Sequence, residues 1–442
     1  MAVAPTVSER KHPKGLYYLF FTELWERFSY YGMRAILVLY MVAETMEGGL
    51  GWSTEEALGL YGTYTSLVYL TPLVGGWLAD RYLGQRLSVF IGGALMIAGH
   101  FLMAFTAMWA FYTALGLIIA GNGFFKPNIA TIVGGLYKEG DSRRDAAFTI
   151  FYMGVNIGAF LAPLICGWLA SDYGWHYGFA AAGVGMAIGQ IVFGLAIKTK
   201  ILGNVGAKPV RESKGSMQSK PKAPLSKEEI DRIIVIFVLA LFVIFFWAGF
   251  EQAGGYMNLY TEEYTNRNLF GFEIPAAWFQ SLNPLFIILL APIMSSLWIY
   301  LANRGKDLAT PTKMALGLVL LGVGFIFMVG SAMQQSGAQA MQSSMFWLVM
   351  AYFFHTVGEL SISPIGLSMV TKLAPARMVS LFMGIWFLAN AAANKLAGEI
   401  GSLVVDLGPL SLFLLISVSV IFMGLVLFLI RKKLIKMMHG KG

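Results

Sequence analysis

The chain has 442 residues, of which 57% are hydrophobic and only 13% are charged, and its mean hydropathy is +0.66. This composition excludes an ordinary soluble domain and predicts an all-α integral membrane protein, because apolar runs long enough to cross a bilayer recur along the whole length. The net charge of +8 does not indicate nucleic-acid binding, since the basic residues gather in alternate connections between the apolar runs.

Twelve apolar runs are predicted to be transmembrane helices. Because the basic connections lie on one side and the acidic connections on the other, the positive-inside rule places both termini in the cytoplasm. The first run is too long and too charged for a cleaved signal peptide. The predicted spans are approximately 16–43, 56–79, 87–106, 108–134, 146–170, 176–198, 231–258, 276–300, 311–331, 344–370, 379–403 and 409–431.

A polar, basic stretch divides these spans six and six. The predicted domains are an N-terminal six-helix half over 1–200, a cytoplasmic linker over 201–230 and a C-terminal six-helix half over 231–442. Two six-helix halves are typical of a transporter that binds its substrate near the membrane midplane. A twelve-helix channel or a membrane enzyme is the alternative interpretation.

The first span contains four ionisable residues, namely Glu23, Glu26, Arg27 and Arg34. At 100° per residue they share one helix face with Tyr30. An ionisable group at the bilayer centre costs about 2.5–3.5 kcal/mol on insertion scales, so we expect this polar stripe to face a water-filled interior. Two carboxylates three residues apart beside a guanidinium can hold one exchangeable proton, as proton coupling requires.

The loop after the second span, GGWLADRYLGQR over 75–86, resembles the loop signature of the major facilitator superfamily. Its glycines allow helix ends to approach closely. We expect the pair Asp80 and Arg81 to cap and bridge neighbouring helices on the cytoplasmic side. This motif indicates gating rather than a particular substrate.

Four further ionisable residues are predicted at depth in later spans, namely Lys126, Glu251, Glu359 and Lys395. Counted from the helix ends, Arg34 and Glu251 lie at matched depths in the outer half, and Lys126 and Glu359 lie at or below the middle. We therefore expect two ion pairs, Arg34 with Glu251 and Lys126 with Glu359, acting as alternating gates. Two static structural salt bridges are the alternative.

The same layout predicts the class of ligand. Two cations in the N-terminal half and two anions in the C-terminal half suit a molecule with a carboxylate at one end and an ammonium at the other, such as a short peptide or an amino acid. A simple sugar needs no matched charges. The neutral side chains predicted to contact such a ligand are Tyr30, Tyr31, Tyr64, Tyr69, Asn156 and Asn283, with Trp247 and Trp386 as walls of side-chain pockets.

Other chemistry is weakly represented in the sequence. His100 and His355 could carry protons, although a lone histidine on a helix is more often structural. Pro127 and Pro364 predict kinks beside Lys126 and Glu359. No P-loop, metal-ligand cluster or nucleophile elbow is present, so neither ATP-driven transport by this chain alone nor hydrolysis is expected, and protons are the only coupling ion predicted.

Four motifs resemble signatures of the proton-coupled oligopeptide transporter (POT) family, a branch of the major facilitator superfamily. They are ELWERFSYYG over 23–32, FYMGVNIG over 151–158, FEQ over 250–252 and GELSISPIGLS over 358–368. The resemblance runs from the first span to the eleventh. Many bacterial members insert two extra helices between the halves, and this chain has only the short linker.

The resemblance implies uptake of di- and tripeptides, and of peptide-like drugs, across the cytoplasmic (inner) membrane. The proton gradient would drive this uptake, and the protein would function as a monomer. The residues that the resemblance assigns to proton coupling are Glu23, Glu26, Arg27, Lys126 and Glu251, the last of them protonated while it pairs with Arg34.

The resemblance also assigns the two ends of the peptide. Arg34 and Lys126 would receive its carboxylate, and Glu359 with Asn156 and Asn283 would receive its amino terminus. The alternatives are an exporter or anion carrier of the same fold, and a peptide sensor that does not transport. The aromatic residues that would line side-chain pockets are Tyr30, Tyr31, Tyr69, Trp247 and Trp386.

Overall fold

The computed structural model describes residues 11–138, 140–141, 143–208, 224–306, 308–336 and 342–441. Half of the predicted linker, 209–223, and the first ten residues lie outside the described part. Helices dominate the described residues, in which strands are limited to four two-residue segments.

Six helices form the first part of the chain. The first helix continues without interruption until a loop in which Gly48 and Gly51 adopt positive φ angles of 78° and 66°. These angles favour glycine because it has no Cβ atom. Gly174, with φ of 114°, likewise separates the fifth helix from the sixth. The bounds are α1 Lys14–Val42, α2 Thr54–Leu78, α3 Gln85–Leu102, α4 Met108–Gly135, α5 Arg143–Tyr173 and α6 Trp175–Lys198.

Eight helices follow the linker. The first of them begins with a capping box, in which Ser226 and Glu229 each accept the other's backbone N–H, at 3.2 and 2.9 Å. The bounds are α7 Lys227–Phe250, α8 Tyr256–Tyr264, α9 Leu282–Asn303, α10 Thr310–Gln335, α11 Met345–Leu360, α12 Ser363–Leu373, α13 Val379–Ser402 and α14 Val404–Met437.

Four short strands lie in the connections of this second part. The strand β1 (Thr265–Asn266) pairs in parallel with β4 (Ser343–Ser344), and β2 (Asn268–Leu269) pairs antiparallel with β3 (Phe272–Glu273). These strands lie in loops and, among the described residues, form only two separate two-stranded pairs.

Each of the twelve predicted spans corresponds to one helix or to a broken pair of helices. The seventh span is α7 and α8 joined by the turn Glu251–Ala253, and the tenth is α11 and α12, separated at Ser361 and Ile362. Among the described residues, nine helical segments are long and apolar enough to cross a membrane by themselves. The other three spans are α1, which carries the charged stripe, α2, which is rich in Gly, Thr and Tyr, and the divided pair α11–α12.

Spatial contacts divide the chain into two compact units. Unit 1 comprises Met1–Ile36 and Leu70–Arg211, and unit 2 comprises Leu37–Tyr69 and Glu212–Gly442. The predicted halves divide the chain only at the linker. The segment Leu37–Tyr69, which holds the C-terminal end of α1 and most of α2, therefore groups with the later helices.

The core of unit 1 is formed by apolar side chains of α1, α3, α4, α5 and α6. Met96, Phe125, Met186 and Phe193 are fully buried there. The close approach of α3 and α4 requires glycine, because a Cβ atom on Gly121 would lie 2.6 Å from a backbone oxygen of α3. Such close contact between backbones is common where small residues meet in membrane helices.

The loop after α2 is held by one of the two predicted residues and by Arg86. Asp80, in the helical turn directly after α2, accepts from the side chain of Gln85, the first residue of α3, at 3.0 Å, so it bridges these helices as expected. Arg81 takes no part in this bond and lies over the ring of Trp77. Arg86 donates to the carbonyl oxygens of Leu202, Gly203 and Val205 in the turn after α6, at 3.1, 2.6 and 2.6 Å, because its planar guanidinium can serve several carbonyls at once.

The turn before α5 predicts a pH dependence of stability. The guanidinium of Arg143 donates to the Asp141 carboxylate, with Nη2–Oδ2 of 2.6 Å, and lowers the pKa of Asp141 from 3.8 to about 2. A carboxyl whose pKa is lower in the folded state stabilises the fold above its unfolded pKa and loses that effect as the pH falls through the folded pKa. We expect Asp141→Asn to lower the thermal unfolding midpoint at pH 7, and the difference from the wild type to shrink from about pH 4 to pH 2. Asp145→Asn, in the first turn of α5, is the control, and a difference that is constant with pH would contradict the assignment.

In unit 2, α2 and α13 meet through glycines and one polar link. A Cβ atom on Gly62 would lie 2.8 Å from the Cα atom of Gly398, so neither position has room for a side chain. One turn away, the Nζ atom of Lys395 donates to the Thr63 hydroxyl at 3.0 Å and pairs with Glu399 at 2.6 Å. Lys395, predicted at depth, is therefore a half-exposed residue that joins two helices of the same unit.

Candidate functional site

The charged stripe of α1 forms a compact ion cluster in unit 1. Arg27 donates to both oxygens of Glu26, from Nε at 2.5 Å and from Nη2 at 2.7 Å. Its Nε atom also lies 3.2 Å from Oε1 of Glu23, one helical turn away. A bidentate pairing of this kind is a strong arrangement for an arginine and a carboxylate.

The stripe is buried in protein and does not line open water. Glu26 is 0% exposed, Arg27 3% and Glu23 4%. The prediction of a water-filled interior beside these residues is therefore wrong. The Arg27 guanidinium pairs with both carboxylates, which offsets part of the cost of burying these charges.

The two glutamates differ in how their oxygens are satisfied. Both oxygens of Glu26 accept from Arg27, whereas Oε2 of Glu23 is buried with no hydrogen-bond partner among the described residues. Protonation of Glu23 at Oε2 would break no hydrogen bond, while protonation of Glu26 would remove one from Arg27. Glu23 is thus the better placed of the two to take up and release a proton.

The remaining predicted residues of unit 1 surround this cluster. Tyr30 lies beside it, with the Arg27 Cζ atom 5.4 Å from its ring centre, and Arg34 lies 6.0 Å from the ring centre of Tyr31. The charge of Lys126 acts on Glu23, and Lys126 itself is partly buried on α4. Asn156 is buried on α5, where it donates to the Tyr152 carbonyl at 2.9 Å.

A second polar group lies in unit 2 near the break between α11 and α12. Glu359 is 8% exposed and accepts from Nδ2 of Asn283 at 2.8 Å. Asn283, at the start of α9, also donates to the hydroxyl of Thr356 at 3.1 Å. A carboxylate with an adjacent, oriented amide can bind an ammonium group.

The other predicted residues of unit 2 are mostly aromatic. Glu251 is buried and starts the turn that follows α7, one turn after Trp247. The Trp247 ring lies 5.1 Å from that of Phe250. Trp386 is buried against Gly366, where a Cβ atom would lie 2.5 Å from its ring. Tyr64 is buried and Tyr69 is partly buried, both on α2.

The two predicted gates each join one residue of unit 1 to one residue of unit 2. Arg34 and Lys126 belong to unit 1, and Glu251 and Glu359 belong to unit 2. The pairings Arg34 with Glu251 and Lys126 with Glu359 therefore stay predictions. Each of these four residues is buried or partly buried.

The two histidines predicted as possible proton carriers are buried, and the two predicted prolines differ in their effect on the helices. His100 is fully buried on α3, and the His355 ring lies 4.6 Å from that of Phe325 on α10. α4 continues through Pro127, whereas the predicted kink near Pro364 coincides with the break between α11 and α12. Among the described residues, no group of three or more His, Cys, Asp or Glu side chains could hold a metal ion.

Two long-range hydrogen-bond contacts were not predicted from the sequence. In the sequence, Thr356 is an ordinary helix residue. Its spacing from other residues does not indicate a hydrogen bond to Asn283, which is 73 positions away. Arg86 could have been recognised, because it follows the loop motif directly, but its partners lie more than 100 positions later.

A family model and known proteins match most of the chain. A family model described as the POT family matches residues 86–213 and 208–409. The chain is 40% identical over 478 residues to the uncharacterized transporter YclF of Bacillus subtilis (strain 168), covering 97% of this chain and 96% of that protein. It is 37% identical over 490 residues to the peptide transporter YePEPT of Yersinia enterocolitica, again covering 97% and 96%.

Solved structures of POT transporters are also similar to this chain. A crystal structure of a peptide transporter POT mutant in complex with alafosfalin matches with a TM-score of 0.89 and 39% identity, covering 97% of this chain and 96% of that one. A POT family transporter in complex with 5-aminolevulinic acid matches with a TM-score of 0.87 and 32% identity, covering 96% and 97%.

Proposed function

Because the chain belongs to the POT family, we propose that it is a symporter that imports di- and tripeptides together with protons by alternating access. The predicted family and the predicted all-α fold of the major facilitator type are confirmed, and the similar proteins are transporters rather than enzymes. The chain is a multi-pass membrane protein.

The observation that carries the proposal is the buried cluster of Glu23, Glu26 and Arg27. A carboxylate oxygen without a partner, next to a carboxylate and a guanidinium that satisfy each other, supports reversible protonation at Glu23. We assign proton coupling to these three residues together with Lys126, whose charge acts on Glu23, and with Glu251.

The charges also support an assignment of the two ends of the substrate. We assign the peptide carboxylate to Arg34 and Lys126, and the amino terminus to Glu359 with Asn283 and Asn156. The ion pairs Arg34 with Glu251 and Lys126 with Glu359 would act as alternating gates. The aromatic side chains assigned to the walls of the site are Tyr30, Tyr31, Tyr64, Tyr69, Trp247 and Trp386.

The proposal includes the cellular setting. The distribution of basic residues supports both termini in the cytoplasm and a place in the cytoplasmic (inner) membrane. We propose that the monomer is the functional form, that no cofactor other than the proton takes part, and that peptide-like drugs share the peptide site. A bound ligand of this kind, alafosfalin, is named for one similar structure.

Uptake of labelled Ala-Ala into proteoliposomes tests the proposal. With an imposed inward proton gradient, we expect peptide to accumulate above its external concentration, and a protonophore to abolish that accumulation. Peptide binding without any flux would favour a sensor. Flux that ignores the proton gradient would favour an exporter or another carrier of the same fold, and the absence of both binding and flux would refute peptide transport.

A further inference from the structure

Thr356 is fully buried on α11, and its hydroxyl takes part in two hydrogen bonds. It donates to the backbone carbonyl of Tyr352 at 2.7 Å, and it lies 3.1 Å from Nδ2 of Asn283. Asn283 is only partly buried, and its Nδ2 atom also lies 2.8 Å from Oε2 of Glu359. The threonine is thus behind the polar group rather than at its open side.

The chemistry of these contacts fixes the direction of the amide. A hydroxyl has one proton, and the Thr356 proton is used by the Tyr352 carbonyl, so toward Asn283 it can only accept. An ionised Glu359 can likewise only accept. Both acceptors require a donor, so the NH2 group of Asn283 faces them and both of its protons form hydrogen bonds. The carbonyl oxygen Oδ1 of Asn283 must point away from Thr356 and Glu359.

We infer that Thr356 is a positioning residue that gives the site its selectivity for a free amino terminus, an inference that rests on the proposed peptide transport. By holding the NH2 end of Asn283, it presents Oδ1 as an acceptor next to the carboxylate of Glu359. Two acceptors suit the N–H donors of a peptide ammonium group. An amide rotated the other way would present N–H donors, which repel an ammonium and favour an uncharged carbonyl at the same position.

The test compares two ligands that differ only in this group, Ala-Ala and its des-amino analogue propionyl-Ala. Binding to the purified protein and uptake in proteoliposomes are measured for the wild type and for Thr356→Val. We expect the Val variant to bind Ala-Ala about three- to tenfold more weakly, as the loss of one hydrogen bond implies, with propionyl-Ala unchanged. KM for Ala-Ala should rise with kcat maintained, and Thr356→Ser, which keeps the hydroxyl, should restore the wild-type values.

Thr261→Val is the matched control. Thr261 is also a buried threonine whose hydroxyl donates to the carbonyl four residues earlier, at 2.7 Å, but it lies on α8 and makes no hydrogen bond to Asn283 among the described residues. It should change neither ligand's affinity. If Thr356→Val does not fold, Thr356→Cys, which also removes the hydroxyl, takes its place and is compared with Thr356→Ser.

The outcomes distinguish the positioning role of Thr356 from the proposed peptide transport. If the wild type binds Ala-Ala and the Val variant weakens both ligands equally, or neither, the positioning role is wrong while peptide transport stands. If Thr356→Ser behaves like Thr356→Val, the hydroxyl is not the cause and the inference also fails. If the wild type binds and transports no peptide, the proposed function and this inference fail together.

Discussion

Glu23→Gln is expected to abolish proton-driven accumulation of dipeptide while leaving downhill exchange intact. Glutamine mimics the protonated carboxyl permanently, and Oε2 of Glu23 has no hydrogen-bond partner to lose among the described residues. The variant should therefore fold and bind peptide. A carrier that cannot change its protonation can only equilibrate its substrate, so the ratio of internal to external peptide should fall to about one.

Glu26→Gln should impair transport as well, but with a cost in stability. Both oxygens of Glu26 accept from Arg27, so an amide there removes one acceptor from a buried guanidinium. A lower unfolding midpoint for Glu26→Gln than for Glu23→Gln is the distinguishing result. The control is Glu228→Gln, a variant of a mostly exposed glutamate at the start of α7, which should change neither property. Retained accumulation in Glu23→Gln would show that another group carries the proton.

Arg27→Met is expected to have the largest effect on stability. The change keeps much of the side-chain volume and leaves two buried carboxylates, Glu23 and Glu26, without their guanidinium. Removing one partner of a buried ion pair typically costs about 3–5 kcal/mol. We expect the free energy of unfolding, measured by denaturant titration in detergent micelles at pH 7, to fall by about that amount.

Arg27→Lys serves as the comparison. It keeps the positive charge but cannot donate to both oxygens of Glu26 in the same planar arrangement, so an intermediate loss is expected. If Arg27→Met unfolds at the same denaturant concentration as the wild type, the carboxylates are compensated by another group. The joint variant with Glu23→Gln and Glu26→Gln should recover part of the stability, because its buried groups are neutral.

The local features of this protein were the predictable ones. The spacing of Glu23, Glu26 and Arg27 places them on one face of a helix, and the contacts observed in α1 follow directly from that periodicity. The break between α11 and α12 was indicated by Pro364, since proline lacks a backbone donor and is best tolerated in the first turn of a helix, which is where it lies in α12. Span positions followed from apolar length alone.

Features that depend on distant partners were not predictable. Whether the α1 stripe faces water or protein is decided by how neighbouring helices such as α5 and α6 pack against α1, which no local pattern encodes. The ties from Arg86 to the segment after α6, and from Asn283 to Thr356, join residues whose separation in sequence leaves no signal. The same holds for the grouping of Leu37–Tyr69 with the later helices.

The contact between α2 and α13 bears on how the protein is made. The bond from Lys395 to Thr63 joins residues 332 positions apart, and the glycine face of α2 at Gly62 meets α13 at Gly398. A chain synthesised from its N-terminus must therefore hold α2 in the bilayer without this partner until α13 has been inserted. Contacts of such high contact order form late and slowly, so completion of unit 2 is expected to be a post-translational step that depends on the last helices.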